Sequence, residues 1–101
     1  ELSNTAWAFA TAGREEPLLF EALAAKAPGK VKTFNPQALA STVWAFATVR
    51  VKAPSLFDAF SAEILFKIKA FDSQALANIV WAYATMGVSA PLLFEAVAVE
   101  A

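Results

Sequence analysis

A chain of 101 residues has the length of one domain, and its 58% hydrophobic content excludes a disordered segment, because that much apolar surface has to be buried. Nine acidic residues against eight basic ones give a net charge of −1, so any polyanion would have to be held by a local patch and not by the field of the whole molecule. With no cysteine and no histidine, the chain lacks a disulfide, a thiol nucleophile, an imidazole base and the common transition-metal ligands apart from carboxylates.

The first predicted element, "NTAWAFATAG" (Asn4 to Gly13), is an apolar helix whose words return as "STVWAFATVR" (Ser41 to Arg50) and "NIVWAYATMG" (Asn78 to Gly87). Trp7, Trp44 and Trp81 stand 37 residues apart, and a shift of that length aligns the chain on itself without a gap. Leu2/Leu39/Leu76, Ala8/Ala45/Ala82, Pro17/Pro54/Pro91 and Phe20/Phe57/Phe94 are identical columns. Alanine richness does not explain tryptophan, proline and phenylalanine returning together. The chain is therefore read as three repeats, 1–33, 34–70 and 71–101, the first truncated at its start and the last at its end, as a slice of a longer series would be.

Each repeat is predicted to hold two helices. The second helix of the first copy starts at Pro17, where a missing N–H costs nothing, and Pro28 and Gly29 stop it. In the second copy Asn35 caps a first helix that has Pro36 at its first position and runs to about Val49. A second helix then runs from Pro54 to about Lys67. In the third copy Asp72 caps a helix beginning at Ser73, and another starts at Pro91. Gly13 and Gly87 suit the left-handed residue that ends the first helices. Arg50 fills that slot in the middle copy, at a cost of about 1 kcal/mol. Neither helix hides its apolar stripe alone, so neighbouring pairs have to stack. The expected fold is all-α: a right-handed-type α-solenoid of tandem two-helix repeats, with about six helices. Ser73 to Phe94 is uncharged for 22 residues, long enough to span a bilayer, but it contains Gln74, Asn78, Gly87, Ser89 and Pro91 and its sister segments are charged. It reads as a buried helix pair, not a membrane span.

On a helical wheel with Trp44 at zero, Phe46, Leu39, Val43, Ala47 and Ala40 fill an arc from roughly 200° to 320°, the expected core face. Gln37, Thr48 and Ser41 fall at roughly 20°, 40° and 60°, and Gln74, Thr85 and Asn78 repeat the set. Tryptophan at the edge of this strip is read as a core plug or, alternatively, as a stacking platform for a base. The strip offers only amides and small hydroxyls, which both donate and accept, as base edges require. Its column Asn4/Ser41/Asn78 varies while its neighbours do not, which could read one nucleotide per repeat; the competing account is that these groups satisfy one another between packed helices. Lys30 matches Lys67 and Lys32 matches Lys69 just before each first helix, as helix-dipole partners or as a basic ridge for phosphates.

The unit "FNPQALASTVWAFATVRVKAPSLFDAFSAEI", with its Trp-Ala-Phe-Ala core and "P.LF.A" second helix, resembles the octotricopeptide repeats of algal organelle proteins and the related heptatricopeptide-like repeats of FAST-kinase-like proteins. The resemblance covers all three copies. It implies an α-solenoid in a chloroplast or mitochondrion that binds particular transcripts and governs their stability, processing or translation, in some members with a terminal RAP domain. It also implies that Asn4, Gln37, Ser41, Gln74 and Asn78 contact bases, with Thr5 and Thr42 as lesser members of the set.

The combined expectation is an RNA-binding helical-repeat segment. Single-stranded RNA lies along the first helices, with Lys30, Lys32, Lys67 and Lys69 near phosphates. No cofactor, metal, membrane or small-molecule substrate is expected, and protein partners are allowed for. The rival is a protein-interaction scaffold whose groove holds a peptide or helix. An enzyme is the poorest fit, since carboxylates such as Glu15 and Glu16 or Glu21 and Asp58 are adjacent or a full repeat apart, with no base near them.

Overall fold

The computed structural model describes residue 8 and residues 17–100. Among them are five α-helices and no strand: α1 (Pro17–Lys26), α2 (Pro36–Val49), α3 (Pro54–Phe66), α4 (Ser73–Met86) and α5 (Pro91–Glu100). Short 3₁₀ turns, Ala27–Thr33 and Ile68–Ala70, lead into α2 and α4. The expected first helix of the first copy, with Asn4, Thr5, Trp7 and Gly13, lies outside the described residues apart from Ala8.

Each boundary follows from local backbone chemistry. The Asn35 side chain accepts the Ala38 N–H at 2.8 Å and the Asp72 side chain accepts the Ala75 N–H at 2.8 Å, each satisfying one of the orphan donors of a helix start. Arg50 and Gly87 end α2 and α4 in the left-handed region, with φ 58° and 68°. Their N–H groups bond Ala47 O and Ala84 O, and the following N–H groups of Val51 and Val88 reach back to Phe46 O and Tyr83 O. This is the Schellman arrangement, with a valine over an aromatic ring's turn in both copies. Pro28 ends the α-helical run of α1 at Lys26, as expected, but the chain continues as a 3₁₀ turn that carries Lys30 and Lys32.

Two layers result. Helix α2 lies along α4, while α3 packs between α1 and α5. Between the layers sits one core of Phe20, Leu39, Val43, Phe46, Leu56, Phe57, Phe60, Ile64, Ile79 and Tyr83, all fully buried. Its geometry repeats with the sequence shift. Phe20 meets Phe46 edge-on at 5.0 Å, and 37 residues later Phe57 meets Tyr83 at 4.9 Å. The uncharged run from Ser73 to Phe94 is two helices broken at Gly87, and among the described residues no helix is long and apolar enough to cross a membrane.

The wheel of α2 is only half of its burial. Leu39, Ala40, Val43, Phe46 and Ala47 are buried as expected, but so are Ala38, Thr42, Ala45 and Val49 on the other flank. The second flank holds Ala45, a member of the identical Ala8/Ala45/Ala82 column, whose small side chain suits close approach of another element. What remains open on α2 is the narrow strip of Gln37, Ser41, Trp44 and Thr48.

Candidate nucleic-acid interface

Gln37 is exposed and Ser41 half-buried, one turn apart on α2, and both line a cleft of about 350 Å³ between α2 and the start of α4. Pro36 and Ala40 complete the α2 wall, and Ala70, Phe71, Asp72 and Ala75 form the other. Ala40 and Ala75 leave room there because neither has a side chain beyond Cβ. One oxygen of Asp72 is engaged by the Ala75 N–H, so the cleft holds an amide, a hydroxyl and a carboxylate. Such a set can accept and donate hydrogen bonds to a planar polar ligand.

Gln74 and Asn78 do not line this cleft. They occupy the corresponding positions on α4, Gln74 exposed and Asn78 half-buried. Asn4 lies outside the described residues, as does Thr5. Thr42 is buried and donates its hydroxyl to the Ala38 carbonyl at 2.7 Å, so it is withdrawn from any surface. Thr48 bonds back to the Trp44 carbonyl at 2.8 Å in the same way. The two described tryptophans are not equivalent. Trp44 is half-buried against the core, whereas Trp81 is 44% exposed and is no core plug. Position zero of the wheel sits at the margin of the apolar arc, where cover depends on what lies alongside.

The lysines divide by partner. Lys67 donates to the Phe34 carbonyl at 2.9 Å and lies 3.0 Å from the Glu63 carboxylate. It thereby ties the end of α3 to the chain entering α2. Glu63 is only 6% exposed and is also 3.9 Å from Lys32. Lys69 lies 3.3 Å from Glu100. Lys32–Glu63 and Lys69–Glu100 are the same bridge one repeat apart, since both members shift by 37. Sequence reasoning read these lysines as helix-dipole partners or a ridge for phosphates and did not pair them with Glu63 and Glu100. The signal was present in the shared register of those two glutamates and two lysines. Lys30 is exposed, and its carbonyl accepts the Thr33 hydroxyl at 2.6 Å. No cluster of acidic residues able to hold a metal ion occurs among the described residues.

No curated protein and no solved structure matches the chain. A family model does match, over residues 1–101, and it is not that of the octotricopeptide or heptatricopeptide-like repeats, which corrects the assignment made from resemblance. The cause of the error is physical. Most of the residues that carried the resemblance are buried, Ala45, Phe46, Ala47, Leu56 and Phe57 among them, while Trp44 and Ala59 are half-buried and Pro54 is exposed at a helix start; the shared words thus encode close helix packing, aromatic knobs and a helix start, which any tandem helical hairpin of this size needs. The chain belongs to the family of RESC6, the RNA-editing substrate-binding complex 6 protein.

Proposed function

We propose that this chain is a stretch of right-handed-type α-solenoid that presents single-stranded RNA with a row of uncharged hydrogen-bonding side chains, acting in transcript processing within an RNA-editing assembly. The observation that carries the reading is the cleft that joins Gln37 and Ser41 to the start of α4, open to solvent and furnished with groups that match base edges. The family's description, an RNA-editing substrate-binding complex protein, gives the RNA role independent support. Gln37 and Ser41 then meet one base, and Gln74 and Asn78 meet the next. Lys30, Lys32 and Lys69 stand near phosphates. Lys67 keeps a smaller part, because its protein acceptors already engage it.

The role proposed is binding without catalysis. Protein partners accompany the RNA, as the word complex in the family's description suggests. Of the two organelles expected from the sequence, the mitochondrion is the one retained. The chloroplast rested on the octotricopeptide resemblance and falls with it.

Anisotropy titration of the chain against short single-stranded RNAs of different sequence, repeated at raised salt, tests the proposal. Weak, sequence-dependent binding that falls with salt is the expected outcome, and indifference to both sequence and salt contradicts it. Ser41→Ala with Asn78→Ala separates this reading from the peptide-scaffold alternative: it should change base preference if the strip reads RNA, and leave binding of a peptide partner largely unaffected if the groove holds a peptide.

A further inference from the structure

The cleft between α2 and α4 carries one group that folding does not require. Asp72 caps α4 with one carboxylate oxygen, which accepts the Ala75 N–H at 2.8 Å. Asn35, one repeat earlier, caps α2 with its amide oxygen at 2.8 Å and from the same extended backbone conformation. Both residue types are good caps, so a helix start needs an oxygen at this position but not a carboxylate. The second oxygen of Asp72 has no hydrogen-bond or ion-pair partner among the described residues. Asp72 is exposed, and it stands on the wall of the cleft that faces Gln37 and Ser41 of α2.

We infer that this cleft selects guanine and that Asp72 determines the choice, an inference that rests on the RNA-binding reading above. An ionised carboxylate only accepts hydrogen bonds, and it repels phosphate, so what enters beside it is a base edge and not the backbone. Guanine alone among the four bases sets two donors side by side on its Watson–Crick edge, N1–H and the N2 amino group. The capping oxygen keeps a second lone pair, so both oxygens of Asp72 are available to that donor pair. Guanine O6, next in line, then accepts from the Gln37 amide or the Ser41 hydroxyl. Adenine and cytosine place a ring acceptor beside their single amino group, and uracil flanks its N3–H with two carbonyls. Each of these three therefore turns a lone pair toward the carboxylate. The cleft volume of about 350 Å³ lies at the small end of the roughly 300–1,000 Å³ of ligand sites and suits one base, not a stack.

Anisotropy titration with a short oligouridine that carries a single guanosine, inosine, adenosine or cytidine tests this, because inosine is guanosine without the N2 amino group. The guanosine strand should bind at least about fivefold tighter than the adenosine, cytidine and all-uridine strands, the effect of one bidentate pair, with inosine between. Asp72→Asn keeps a cap of the Asn35 kind while replacing one acceptor by a donor. It should abolish the guanosine preference and leave the helical circular dichroism unchanged. Equal binding of all strands by the wild-type chain, or preference for another base, overturns guanine selection, and a fall of that binding with salt still upholds the RNA surface. A guanosine preference that survives D72N overturns the role of Asp72. Absence of binding to every strand overturns the RNA-binding reading and this inference with it.

Discussion

The Tyr83 phenol is buried between the layers and donates to the Phe57 carbonyl at 2.6 Å. Burial, and then the charge of Asp58, push this phenol above its ordinary range. An acid whose neutral form is favoured by folding contributes stability that is complete below its unfolded value, about pH 10, and is lost above it. Because Tyr83 is the single tyrosine, its absorbance near alkaline pH reports one site. The folded chain should show no tyrosinate at pH 10 to 11 until its helical circular dichroism is also lost; titration near pH 10 with intact helices would contradict the geometry. Tyr83→Phe should cost about 1 kcal/mol at neutral pH and remove that alkaline decline. Arg50 gives a prediction of the opposite sign. Its φ of 58° strains a side-chain-bearing residue, so Arg50→Gly should stabilise the chain by up to about 1 kcal/mol, seen as a higher urea midpoint with an unchanged slope. This strain was legible in the sequence, since Gly13 and Gly87 flank Arg50 in the alignment. The hydroxyl of Tyr83 was not, because the Phe46 of the preceding copy performs the same packing without it.

Helix ends and pairings set the next scale. The caps at Asn35 and Asp72, the prolines at helix starts and the left-handed stops were all readable from residue type, because each satisfies a local backbone demand. The second buried flank of α2 was not read, because a single wheel shows one apolar arc and carries no account of a neighbour on the other side. The Lys32–Glu63 contact spans 31 residues, beyond any local rule, whereas Glu63–Lys67 is an i,i+4 pair that the sequence offered and the reading passed over. Lys67 is the stronger of the two partners of Glu63. Lys67→Met should cost about 2 kcal/mol, leaving Glu63 buried with only the distant Lys32 and stripping the Phe34 carbonyl of its donor. Lys69→Met removes a bridge whose lysine is exposed, and should cost well under 1 kcal/mol. Replacing Glu63 and Lys67 together by apolar residues should recover most of the loss, which urea unfolding of the three variants would show. Equal costs for the two lysines would contradict the assignment.

At the scale of the whole molecule, first helices lie side by side and second helices form the layer behind them. A neutral chain can then carry a polar, uncharged strip on one layer while its net charge stays near zero. The strip itself was visible in the sequence. Its pairing with the start of α4 was not, since a cleft between repeats belongs to neither repeat alone. The measurement that tests the proposed RNA-facing surface most directly is a two-dimensional ¹H–¹⁵N spectrum of the chain titrated with a short single-stranded RNA. The side-chain amides of Gln37, Gln74 and Asn78 and the backbone amide of Ser41 should shift together while α3 and α5 stay unchanged. Shifts confined to α3 and α5, around Phe66 and Leu92, would contradict it.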